Sequence, residues 1–239
     1  MRPEIAIVVT AYNEADRLGE TLSALAEAFP GARVVVADDA SDDGTADVAR
    51  AAGAEAVTAP RRLGKGGVAT LAAERVRGGG GSAEGGGSAP LLVLCDGDLG
   101  ASARHLPALA AAVERGDGDL AVAVFATRVG GGFGLAVGFA HRAIRSLTGL
   151  DLSAPISGQR ALAPAVVDAV LPFAPRFGME IGMTVDAHRA GFRVVEVELP
   201  LEHRATGRTA AGFAHRGRQL RDFVRVYALR RLNRGRERR

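Results

Sequence analysis

Through the first hundred residues, short apolar runs alternate with stretches where apolar positions recur every three or four residues. Ile5–Thr10, Arg33–Ala37, Ala54–Thr58 and Leu91–Leu94 read as strands, with helices predicted over Glu14–Phe29, Asp42–Ala52 and Gly66–Arg77. This strand–helix order, without an internal repeat, predicts an α/β domain with a mostly parallel central sheet flanked by helices. Ligands on such sheets bind beyond the carboxyl ends of the strands. The polar residues that fall there are Thr10 to Glu14, Asp38 and Asp39, and Asp96 and Asp98.

The second half predicts a helix near Ser102–Arg115, a strand over Leu120–Phe125 and a glycine-rich loop, Gly130–Gly134, leading into a helix over Leu135–Leu147. Helices are predicted over Ala161–Val170 and Ile181–Ala190, and a strand over Arg193–Leu199. Gly78–Pro90 is a Gly/Ser/Ala stretch with a single charge, predicted as a flexible surface loop. It follows a helix and precedes a strand, the reverse of a phosphate-binding glycine motif. Around Arg216–Leu232, Leu220, Phe223, Val224 and Tyr227 fall at helical spacing among Arg218, Arg221, Arg225 and Arg230. That pattern predicts a basic amphipathic helix whose stripe meets either a membrane surface or the parent domain. The expected division is a domain over residues 1–210 and an Arg-rich amphipathic helix or tail over 211–239.

Charge sharpens this division. The net charge is +3, yet the residues after His203 hold twelve arginines against Asp222 and Glu237. An acidic body with a basic tail points to an anionic surface, with a solvated tail as the alternative. The tail lacks interleaved aromatics or a reading helix, so nucleic-acid binding is not expected. Cys95 is the single cysteine, which rules out an internal disulfide and suits a reducing compartment. With no span-length apolar segment and no basic-then-apolar leader, the expected location is the cytoplasm, either free or peripheral at the inner face of the plasma membrane. Lys65 is the only lysine among thirty basic residues, and Gly64, Gly66 and Gly67 surround it. A compact charge in that setting suits a phosphate, with chance survival in an Arg-biased sequence as the alternative.

The run Leu91-Leu92-Val93-Leu94-Cys95-Asp96-Gly97-Asp98 ends an apolar strand in two carboxylates. Side chains two apart on an extended backbone point the same way, so both carboxylates can face one site. Two like charges there repel unless a cation intervenes, and hard oxygen donors suit Mg²⁺ or Mn²⁺. An exposed acidic turn is the alternative.

Thr10-Ala11-Tyr12-Asn13-Glu14, then Asp38-Asp39-Ala40-Ser41-Asp42-Asp43-Gly44-Thr45, then Asp96-Gly97-Asp98 resemble, in that order, family 2 glycosyltransferases of Rossmann-like GT-A fold. The resemblance implies a nucleoside-diphosphate sugar donor, UDP- or GDP-linked. Thr10 and Tyr12 would line the base pocket, Glu14 would lie near the nucleoside, and Asp39 would accept the N–H of the base. Asp38 would brace its turn, and Ser41 or Asp42 would cap the following helix. Lys65 would sit near the diphosphate, and Asp96 and Asp98 would hold the metal.

Further on, Arg128-Val129-Gly130-Gly131, His141-Arg142, Ser146 and Ser157-Gly158-Gln159-Arg160-Ala161 resemble polyprenyl-phosphate glycosyltransferases. That implies that Arg128, Arg142 and Ser146 receive an acceptor phosphate, most simply polyprenyl phosphate, with inversion at the sugar carbon. Gly178-Met179-Glu180-Ile181-Gly182 and Glu202-His203-Arg204 are instead similar to glucosyl-3-phosphoglycerate synthases. There Glu180 would lie near the sugar and His203 would complete the metal site, with retention and a soluble acceptor such as 3-phosphoglycerate. A non-catalytic nucleotide-sugar-binding scaffold at the cell envelope is the rival from outside enzymes.

Overall fold

The computed structural model describes residues 4–78, 89–126, 135–201 and 210–236. Seven strands form one sheet: β1 (Ile5–Ala11), β2 (Arg33–Asp38), β3 (Glu55–Thr58), β4 (Leu91–Asp96), β5 (Leu120–Phe125), β6 (Arg160–Leu162) and β7 (Val194–Leu199). Their order is β3-β2-β1-β4-β6-β5-β7, parallel throughout except where β6 runs against β4 and β5. The helices are α1 (Ala15–Ala28), α2 (Thr45–Ala51), α3 (Lys65–Gly78), α4 (Pro107–Glu114), α5 (Leu135–Thr148), α6 (Pro164–Val170), α7 (Met179–Arg189) and α8 (Ala210–Arg236).

Both sheet faces are covered. Ile7, Val9 and Ala11 of β1 enter one apolar layer with Leu18, Leu22 and Leu25 of α1. Ala6 and Val8 enter the other with Val68 and Ala72 of α3. Burial on both faces makes these strands unbroken apolar runs rather than alternating ones. The parallel register sets Thr10 beside Asp96 and Ala11 beside Asp38, which brings the ends of β1, β2 and β4 to one edge.

Four sequence expectations need correction. The segment Ser102–Arg115 is not one helix: a 3₁₀ turn over Gly100–His105 precedes α4, which starts at Pro107. Proline has no N–H to donate, so it suits the first position of a new helix and not the interior of a longer one. The segment Ala161–Val170 is strand β6 followed by α6, again begun by a proline. Ala161 and Leu162 bury on opposite faces of the sheet, a pattern too short to read as a strand from sequence. The second helix begins at Thr45 after Gly44, and neither Ser41 nor Asp42 caps it. In α8 the buried stripe is Phe223 and Val226, which pack with Ile144 and Leu147 of α5 and Ile181 and Val185 of α7, while Val224 is exposed. No described helix is long and apolar enough to cross a membrane.

Candidate active site

The loops after β1 and β2 clasp each other. Asn13, held at φ 54°, donates its backbone N–H to Ser41 Oγ (2.9 Å) and its amide to Asp42 Oδ1 (2.9 Å). The Asp42 N–H returns a bond to Asn13 Oδ1 (3.1 Å). Ser41 and Asp42 are therefore occupied between loops, which is why they do not cap α2. Asp38 braces its own turn by accepting the Ser41 N–H at 3.1 Å. Asp39 is almost fully buried and accepts the N–H groups of Leu63 (2.6 Å) and Gly64 (3.0 Å). The Arg62 guanidinium lies 3.5 Å over the Tyr12 ring and its Nε is 3.7 Å from Asp39. Arg62 thus links Tyr12 and Asp39, two of the three residues expected at the base pocket. Nothing in its sequence context distinguishes it in so Arg-rich a chain.

The centre of the cluster is Lys65, the first residue of α3. Its Nζ lies 2.6 Å from Asp96 Oδ1 and 3.0 Å from Glu180 Oε1. Asp96 also accepts the Thr10 hydroxyl on Oδ1 (3.1 Å) and the Gln159 amide on Oδ2 (2.9 Å). Burial alone would push the lysine pKa down, but Asp96 and Glu180 outweigh it and hold the value above the ordinary one. Burial likewise works to raise Asp96, and the lysine, Gln159 and Thr10 together bring it below the usual carboxylate range.

Glycines make this packing possible. A methyl group added to Gly66 would lie 1.9 Å from the Ala174 carbonyl oxygen, and one on Gly64 would lie 2.7 Å from Arg176 Cγ. One on Gly158 would lie 2.2 Å from Lys65 Nζ and 2.6 Å from Asp96 Oδ2. The glycines around Lys65 therefore let the start of α3 press against residues 174–176, and Gly158 lets the ion pair press against the backbone before β6.

Beneath the cluster lies Arg160, whose side chain is fully buried. It donates to Ser157 O (2.9 Å), Pro155 O (3.3 Å) and Thr184 Oγ1 (2.9 Å), and the Thr184 hydroxyl in turn donates to Glu180 O (2.9 Å). Arg160 thus ties the loop that carries Gly158 and Gln159 to the first turn of α7, which carries Glu180. Burial lowers its pKa to about 10, against the opposing pull of Glu180 and Glu196, so it stays charged at neutral pH.

Of the residues expected from sequence, Thr10, Lys65, Asp96 and Glu180 come together directly. Tyr12 and Asp39 form the neighbouring group through Arg62. Glu14 donates its N–H to Thr45 Oγ1 (3.0 Å) at the entrance to α1. The strand β4 ends at Asp96, so Asp98 sits in the following turn and the alternation argument stops short of it. Arg142 and Ser146 are exposed on α5, four residues apart on one face. Ser146 also bonds to Tyr227 of α8, lowering that phenol's pKa. Arg128, His203 and the 130–134 loop lie outside the described residues, as do residues 79–88 of the Gly/Ser stretch. Sequence reasoning missed Gln159 and Arg160 as site residues, although both lie in the quoted run from Ser157 to Ala161.

A divalent cation fits this chemistry. Asp96 at the end of β4 and Asp98 in the turn after it carry the hard oxygen donors such a cation takes, although among the described residues no three metal-ligating side chains come together. The remaining coordination would fall to ligand oxygens and to residues outside the described set.

Residues 6–148 match the family described as Glycosyl transferase family 2. An undecaprenyl-phosphate mannosyltransferase of Micrococcus luteus is 31% identical over 216 residues, covering 85% of each chain. Among solved structures, a glucosyl-3-phosphoglycerate synthase of Mycobacterium tuberculosis in complex with phosphoglyceric acid superposes with a TM-score of 0.77 at 24% identity. The match covers 95% of this chain and 80% of that one. The same enzyme with Mn²⁺, UDP and glucosyl-3-phosphoglycerate gives a TM-score of 0.75 at 23% identity, over 95% of this chain and 80% of that one. At these identities the structural likeness speaks for the fold.

Proposed function

The chain belongs to glycosyl transferase family 2 and is a glycosyltransferase, and we propose that it moves a sugar, with the help of Mg²⁺ or Mn²⁺, from a nucleoside-diphosphate sugar to polyprenyl phosphate. The observation that carries the acceptor is the 31% identity to an undecaprenyl-phosphate mannosyltransferase over 85% of both chains. A UDP donor is supported by the solved relatives, whose complexes contain UDP with Mn²⁺ or Mg²⁺.

In this reading, Tyr12 and Asp39 receive the base, and Lys65 receives the diphosphate. Asp96 and Asp98 would hold the metal, which would supply positive charge against the departing nucleotide. Arg142 and Ser146, with Arg128, hold the acceptor phosphate; a guanidinium offers it two parallel donors. The acceptor oxygen is already an anion at neutral pH, so the reaction requires positioning more than a strong base. That oxygen forms a bond to the anomeric carbon as the bond to the diphosphate oxygen breaks. The exposed face of α8, with Val224, Leu229 and Leu232 among Arg221, Arg225 and Arg231, suits an anionic membrane surface where such an acceptor resides.

A second reading has a specific observation in its favour. Glu180, matched by resemblance to the sugar-side glutamate of glucosyl-3-phosphoglycerate synthases, is buried and paired with Lys65. That supports a small soluble phosphate as acceptor. The test offers UDP- and GDP-sugars with Mn²⁺ to polyprenyl phosphate and 3-phosphoglycerate in parallel, with flotation on anionic vesicles alongside. Turnover with the lipid phosphate and flotation would support the first reading. Turnover with 3-phosphoglycerate alone would replace it with the second.

A further inference from the structure

Asp96 is expected to face a metal, yet its lone pairs are already largely spoken for by this chain. Oδ1 takes both Lys65 Nζ (2.6 Å) and the Thr10 hydroxyl (3.1 Å), and Oδ2 takes the Gln159 amide (2.9 Å). Glu180, the other carboxylate at the site, holds the same ammonium at 3.0 Å. Lys65 cannot drift aside easily. Its backbone is pressed against Ala174–Arg176 through Gly64 and Gly66, and its head group against Gly158. The ammonium therefore sits where it neutralises the carboxylate that a divalent cation would use.

From this geometry we infer that Lys65 is a resident counter-ion that competes with the metal for Asp96 and yields only when a diphosphate arrives to receive it. The inference rests on the glycosyltransferase reading for its ligand, and on the chain's own ion pairs for its logic. A divalent cation and an ammonium sharing one carboxylate repel each other, and the partial burial of Lys65 and Asp96 leaves that repulsion only partly screened. A diphosphate placed between them removes that repulsion, because it coordinates the metal and accepts the ammonium's hydrogen bonds. Metal and nucleotide then bind with positive coupling, and by reciprocity each raises the affinity of the other by the same factor. The apo enzyme thus resists loading with metal alone, and the donor brings its cation with it.

The experiment is titration calorimetry with Mn²⁺ alone, UDP alone and both together, on the wild-type chain and on Lys65→Met. In the variant, Mn²⁺ alone should bind about tenfold more tightly, while UDP in the presence of Mn²⁺ should bind about tenfold more weakly. The coupling between the two ligands should fall accordingly. Removing a partly buried, paired cation can compromise folding, so the pair Lys65→Met with Glu180→Gln, which removes one charge of each sign, is measured as well. Mn²⁺ affinity that is unchanged or weaker in both folded variants would overturn the inference. So would the absence of Mn²⁺ binding in every protein. If the variants gain Mn²⁺ affinity while no protein binds UDP, the counter-ion role stands and the donor reading fails.

Discussion

Gly158→Ala tests the packing around the ion pair most directly. The added methyl would lie 2.2 Å from Lys65 Nζ and 2.6 and 3.1 Å from the Asp96 oxygens, where ordinary contact begins near 3.4 Å. Something must move by more than an ångström. If the lysine head moves, it leaves Asp96 and Glu180, breaking charge-assisted bonds that contribute ~1.5–3 kcal/mol each. If the backbone moves instead, it draws Gln159 away from Asp96 and disturbs the Ser157 carbonyl that Arg160 holds. Water recovers part of either loss, because 19% of the lysine side chain and 30% of the aspartate remain exposed. The net cost is then about 1–3 kcal/mol, in the range of overpacked cores.

For a chain of this size each kcal/mol lowers the melting temperature by about 2–4 °C, so thermal unfolding should shift down by roughly 2–12 °C. Displacing the lysine by an ångström also misplaces the charge offered to the diphosphate, and UDP affinity with Mn²⁺ should fall about tenfold. Calorimetry and a thermal melt on the same preparation read both effects. A variant that melts within 1 °C of wild type and binds UDP within twofold would refute the close packing of Lys65 and Asp96 on this glycine.

Gly66→Ala should cost about 3 kcal/mol, at the upper end for overpacking, because the methyl would meet the Ala174 carbonyl oxygen, which is backbone and cannot swing away; a thermal melt that is unchanged would contradict the packing of α3 on residues 174–176. Arg142→Ala should raise the KM for the acceptor phosphate about tenfold while leaving UDP affinity unchanged, and equal losses in both would remove Arg142 from the acceptor site. Asp96 provides a pH signature. Its folded pKa lies below the ordinary value of 3.8, so its stabilising contribution is present above that value and is lost as pH falls through the folded one. Asp96→Asn should therefore be less stable than wild type at pH 7, and the gap measured by urea unfolding should close below about pH 4. A gap that persists unchanged to pH 3 would contradict the ion-paired assignment.

How far the sequence reveals this site depends on whether each residue acts through local pattern or distant contact. β1, β2 and β4 are buried on both faces, so their apolar runs and the polar residues that end them are visible in the sequence, and with them Thr10, Asp39 and Asp96. Lys65 stands out because it is the only lysine and has glycines on both sides, and the structure gives those glycines a steric reason in Ala174 and Arg176. Gln159 and Arg160 lack such a local mark. Gln159 ends a loop and Arg160 opens a three-residue strand that runs against its neighbours, and their partners are Asp96, 63 residues back, and Thr184, 24 residues on. The α8 stripe shows the same limit, since helical spacing placed Val224 in the stripe and only packing against α5 and α7 shows that Phe223 and Val226 are the buried pair. Carboxylates and glycines at strand ends thus announce where chemistry can occur, while the buried guanidinium that holds Gln159 and Glu180 in register emerges only from tertiary contacts. Arg160 therefore governs the site more through geometry than through charge, because its three bonds all go to neutral oxygens.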